Sequence, residues 1–129
     1  MITAVQIKED RDTAEQWLLN TEEKKDALIY VRNTQDKKKQ TKWIDTIDGA
    51  VNVLPEHHRA FIMFRRKAER ISFDNRGKPA WFDYVQARYA EWYYNTYGKA
   101  SVPSKRCFQA WWSNAVNIVV IAAIREGLL

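Results

Sequence analysis

What this chain of 129 residues has little of narrows its class first. It holds one cysteine, Cys107, so no disulfide can form within the chain. That thiol and the two histidines, His57 and His58, make no cluster of the kind that binds zinc. Four glycines and three prolines leave no flexible linker and no Gly-rich phosphate loop, and each is expected to mark an element boundary. The apolar run 118–124 is far shorter than the roughly 20 residues that span a bilayer. The start "ITAVQIKEDRD" after Met1 lacks the basic head and apolar core of a secretory leader. A chain without a leader, a membrane span or a disulfide is expected in the cytoplasm. Carboxylates are scattered through the basic part (Asp74, Asp83, Glu91), with no converging set for a metal-dependent nuclease. No enzyme, cofactor or metal is therefore expected.

What is present points to a folded all-α chain. Hydrophobic residues make up 46% and there are six Trp, enough for one domain with a real core. The net charge is +5, and it is unevenly spread. Residues 1–36 carry five Lys/Arg and eight Asp/Glu, whereas 37–129 carry sixteen and eight. The expected organisation is a single helical domain, 1–129, a compact bundle of five or six helices. Acidic N-terminal helices would occupy 1–33 and a basic DNA-binding part 34–129. A basic surface on that scale implies a polyanion, nucleic acid being the commonest.

Helical spacing fills most of the chain. Ala14, Trp17, Leu18 and Ala27, Leu28, Val31 place helix over 10–32. Asn20-Thr21 before Glu22 and Glu23 reads either as a cap starting a second helix or as an irregularity within one. A helix from about Thr34 carries the stripe Trp43, Ile44, Ile47, Ala50, Val51, Leu54. Its first turns hold Lys37, Lys38 and Lys39, against the macrodipole. Solvation explains them slightly better than phosphate contact. Pro55 opens the next helix, with Ala60, Phe61, Phe64, Ala68 and Ile71 inward and Arg59, Arg66, Lys67, Arg70 at the edge or outside. A polar loop covers 72–79, with a turn at Asn75-Arg76-Gly77. An aromatic helix runs from Ala80 to Tyr97, ended by Gly98.

The last helix follows Ser104 and runs to about Arg125, with Gly127 beyond it. Phe108, Trp111, Trp112, Ala115, Val116, Val119, Ala122 and Ala123 form its buried face. Lys105, Arg106, Gln109, Ala110, Ser113 and Asn117 form the other, about as long as a helix lays along a major groove. Arg and Lys suit guanine, Gln suits adenine, and small Ala110 and Ser113 allow close approach. Ser104 caps the helix, whose free N–H groups suit a phosphate. Lys99 and Ser101 in the preceding turn complete the candidate DNA-contacting set. The run 118–124 is apolar all round, so either the N-terminal helices or a second subunit should cover it. A homodimer would suit DNA with two half-sites.

Two segments carry a family likeness: "AVNVLPEHHRAFIMFR" at 50–65 and "PSKRCFQAWWSNAVNIVVIAA" at 103–123. Across about 34–126 the chain resembles the ArpU/RinA-like late transcription regulators of phages, whose C-terminal part is similar to region 4 of sigma factors. The resemblance implies a helix-turn-helix-like C-terminal part in a phage or prophage protein that binds promoter DNA. Lys105, Arg106, Gln109 and Ser113 would be its readers. The chain departs from the family in a longer 72–103, an unusually aromatic helix at 80–97 and an extended turn at 98–103.

Other readings compete. His57 and His58, about 100° apart on a helix, cannot share a metal well and are expected on its surface. Cys107 reads as a small packed residue. Trp81, Tyr84, Tyr89 and Trp92 read as core rather than as a platform for single-stranded bases, although the helix has more rings than a core can hold. The reading reached is a sequence-specific binder of double-stranded DNA, with host RNA polymerase and a second copy as further candidate partners. The alternatives are a protein-interaction module using the aromatic helix and the apolar C-terminus, and a small terminase-like packaging protein.

Overall fold

Capping residues and glycines set the limits of the helices in the computed structural model, which describes residues 4–71 and 81–129. Among these residues are five α-helices, one short 3-10 turn and no strand, so the fold is all-α as expected. The helices are α1 (Ala4–Ala27), α2 (Thr34–Asn52), α3 (Glu56–Ala68), α4 (Trp81–Tyr97) and α5 (Lys105–Arg125), with the 3-10 turn at Leu28–Tyr30. The expected loop 72–79, its Asn75-Arg76-Gly77 turn and the helix start at Ala80 lie outside the described residues. The chain forms two compact units, Met1–Val53 with Ser113–Leu129, and Leu54–Trp112.

In the first unit α1 packs on α2. At Asn20, with φ −107° and ψ 17°, the backbone leaves the helical region and two helical stretches of α1 meet across a kink. The buried hydroxyl of Thr21 donates back to the carbonyls of Trp17 and Leu18, a bond that competes with the helix ladder. Asn33 caps α2 by accepting from the N–H groups of Gln35 (2.9 Å) and Asp36 (3.2 Å). The α2 stripe holds: Trp43, Ile44, Ile47 and Ala50 are buried. Trp43 stacks flat on Trp17, with ring centroids 5.2 Å apart, and Ala14 and Leu18 are buried on the same helix as Trp17. Lys25 bridges to Asp48 at 3.0 Å, and that bond above all holds its ammonium above the ordinary value. Both partners are well exposed, so the pair contributes at most about 1 kcal/mol.

In the second unit α3 packs on α4. Ala60, Phe61, Phe64 and Ala68 are buried as the spacing requires, and so is Ile62. Ile71 is not: it falls after the end of α3 and is 42% exposed. Gly98 ends α4 with φ +69°, a left-handed conformation that glycine adopts without a Cβ clash.

Helix α5 is capped at both ends as its sequence implies. The Ser104 hydroxyl accepts from the Cys107 N–H at 3.2 Å. At the other end Gly127 has φ +73° and the Leu128 N–H reaches the Ala123 carbonyl at 2.8 Å. Phe108, Ala115, Val116, Val119 and Ala123 are buried, while Trp111, Trp112 and Ala122 are half-buried. Within the chain only part of 118–124 is covered: Val119 and Ala123 are buried, but Ile121 is 52% exposed and Ile124 49%, which leaves that side to the second-subunit alternative. Among the described residues, α5 is also the one helix long and apolar enough, by length and composition, to cross a membrane, which its apolar run alone does not convey.

Candidate nucleic-acid interface

The start of α5 in the second unit is held by an aromatic cluster. Phe108, fully buried, stacks on Phe61 at 5.0 Å and meets Phe82, Tyr89 and Trp111 edge-on between 5.5 and 6.2 Å. Burying a side chain of this size stabilises by roughly 1.5–3 kcal/mol, and edge-on pairs add to that. Fixing Phe108 inward fixes what points outward. Lys105, Arg106, Gln109 and Ala110 are all exposed. Arg106 and Gln109 form no hydrogen bond or ion pair with the described residues. The Lys105 ammonium lies 5.9 Å from the centre of the Trp81 ring.

The turn before α5 is tied down as well. Gln86 on α4 donates to the Pro103 carbonyl at 3.0 Å. Ser101 is half-buried and lines the same small cavity as Tyr89. Tyr89 is itself pushed up to about 12, first by burial and then by neighbouring Tyr93. Ser101 is thus partly covered, while Lys99 and Ser104 are exposed. The Tyr97 phenol is held above its ordinary value, first by desolvation and then by the Glu56 carboxylate at the start of α3.

Ser113 and Asn117 are exposed but belong to the first unit. Both accept from the Arg11 guanidinium, Ser113 at 3.3 Å. Five of the expected contact residues are therefore outward in the second unit (Lys99, Ser104, Lys105, Arg106, Gln109), one is half-buried, and two are held by Arg11.

Charge follows the same division. Residues 54–112 carry eleven Lys/Arg against five Asp/Glu, while the rest of the chain carries ten against eleven. Part of that excess has a structural use. Arg65, Arg66 and Lys67 sit in the last turn of α3, where cations suit the helix dipole. Arg65 also lies over Trp81 (4.9 Å) and Trp112 (5.4 Å) and pairs with Glu69 at 2.6 Å. Its role was not legible, because Trp81 and Trp112 are distant from it in sequence.

The histidines are not the surface pair that helical spacing implied. Both are half-buried and packed on Trp111, His57 at 5.2 Å and His58 at 4.6 Å. The His58 Nδ1 atom is buried without a hydrogen-bond partner. Burial, then His57 beside it, holds His58 below the usual imidazole value. Among the described residues no group of three or more His, Cys, Asp or Glu is placed to hold a metal ion.

Comparison with known proteins returns no match: no family model, no curated protein and no solved structure.

Proposed function

We propose that the chain binds double-stranded DNA through the first turns of α5, with Arg106 and Gln109 reading base edges and Lys99, Lys105 and the capped helix start contacting phosphate. One observation carries this reading. Arg106 and Gln109 stand exposed and unengaged by the described residues at a Ser-capped helix start, in the unit that holds the basic excess. Helix N-termini are where helix-turn-helix proteins touch bases. Ser113 and Asn117 are engaged by Arg11 and Ser101 is half-buried, so these three leave the reading set. The role as a phage transcription regulator, acting beside host RNA polymerase in the bacterial cytoplasm, rests on the resemblance of 50–65 and 103–123.

Selection from random duplex DNA at physiological salt tests the reading. An enriched motif is expected, and Arg106→Ala should bind it about 1–3 kcal/mol more weakly while relaxing preference at one position. Equal affinity of variant and parent would sink the assignment of Arg106. A second reading, a protein-interaction module, is favoured by the 62% exposure of Tyr94 and the 43% exposure of Tyr97 on the outer side of α4. Absence of any enriched duplex would favour it.

A further inference from the structure

The first unit carries a feature that DNA binding at the start of α5 does not use. An open groove of about 1010 Å³ runs between the outer face of α2 and the C-terminal turns of α5. That volume slightly exceeds the roughly 300–1,000 Å³ of small-molecule pockets. Its floor is apolar: Val31, Ala50 and Val53 on one side, Ile118, Ile121 and Ala122 on the other. Its rim is basic, with Arg32, Lys37, Lys38, Lys42 and Arg125 set against Asp45 and Glu126.

Gly49 lines the same groove. It sits inside α2, not at an element boundary, where glycine weakens a helix by roughly 0.5–1 kcal/mol relative to alanine. Nothing within the chain demands it: a Cβ there would meet no atom within 4 Å, and its φ is not positive. The missing side chain leaves the floor open to close approach from outside. Val53, at 73% exposure, and Ile121, at 52%, are the apolar residues most in want of cover there.

These observations select the occupant. A phosphate backbone would satisfy the rim but leave the apolar floor wet. An apolar helix would satisfy the floor but not five cations. We propose that the groove seats an amphipathic α-helix of another protein, with large aliphatic residues facing the floor and Asp/Glu along its flanks. Helices laid into apolar grooves anchor through positions i, i+3, i+4 and i+7. A glycine in the wall lets the two helix axes come closer than larger side chains allow.

The test uses the full chain and a display library of peptides of about 16 residues, aliphatic at the anchor positions and random elsewhere. Asp and Glu should enrich beside the anchors. The selected peptide should lose at least about tenfold in affinity on Gly49→Trp, which fills the floor, and on Ile121→Glu, which charges it. Two variants on different helices, each checked by circular dichroism, separate loss of the site from loss of the fold. Arg106→Ala, about three turns before the groove residues on α5 and in the other unit, should bind the peptide as the parent does. Three results would overturn the proposal: no enrichment of acidic peptides, binding indifferent to both groove substitutions, or a dimer in sedimentation that both substitutions dissociate. The last would assign the groove to a second copy.

Discussion

His58 shows how one atom sets a pH dependence. Its ring packs on Trp111 while its Nδ1 is buried without a partner, an arrangement that disfavours the charged ring. A folded-state value below the ordinary 6.5 means that the unfolded chain takes up this proton first as the pH falls. The contribution of the neutral ring to stability is thus fully present above about pH 6.5 and is lost progressively below it. His58→Phe keeps a flat ring against Trp111 and removes the orphaned nitrogen, whose burial costs about 1–3 kcal/mol. It should raise the melting temperature at pH 7 and flatten the fall between pH 7 and pH 5. A variant whose melting temperature tracks the parent across that range would show that His58 is not the titrating group. Arg11 makes the opposite point, since its donors occupy Ser113 and Asn117, two residues whose spacing alone marks them as readers.

At the scale of the helix, α2 and α5 show what periodicity conveys. The α2 stripe Trp43–Ile44–Ile47–Ala50 was legible because each residue is large or apolar and recurs once per turn. The same rule placed Phe108, Ala115, Val116, Val119 and Ala123 correctly on α5. It did not say what covers Ile118–Ile124, because periodicity reports what a helix can bury and not what partner is present to cover it. It failed for His57 and His58 because residue type favours the surface while Trp111, far along the chain, offers a ring to pack on. At Asn20 the two readings meet, since two helical stretches join there across a kink beside the back-bond of Thr21. The unused glycine in α2 gives a direct test of helix propensity. Gly49→Ala adds a methyl to open space and should stabilise the fold by roughly 0.5–1 kcal/mol in denaturant unfolding. A loss of stability would mean that Gly49 serves the fold itself.

Over the whole chain, charge divides between the two units, and so do the two proposed sites. Residues 54–112 hold six more basic than acidic side chains, while the remainder is nearly balanced. The basic face belongs with the start of α5, and the groove with α2 and the end of the same helix. The sequence-level division at residue 36 saw the surplus of positive charge but not this partition, because 113–129 returns to the N-terminal helices in space. Lys99 and Lys105 on phosphates, with the Arg106 cation in the groove, would release counterions, and each phosphate charge neutralised contributes about −0.9 to the slope of log affinity against log salt. The most direct measurement is a fluorescence-anisotropy titration of labelled duplex DNA with the full chain at several salt concentrations. The account predicts a slope of about −3 or steeper, reduced by about 1 in Lys99→Ala. Affinity that does not change with salt, or no binding at the lowest salt, would contradict it.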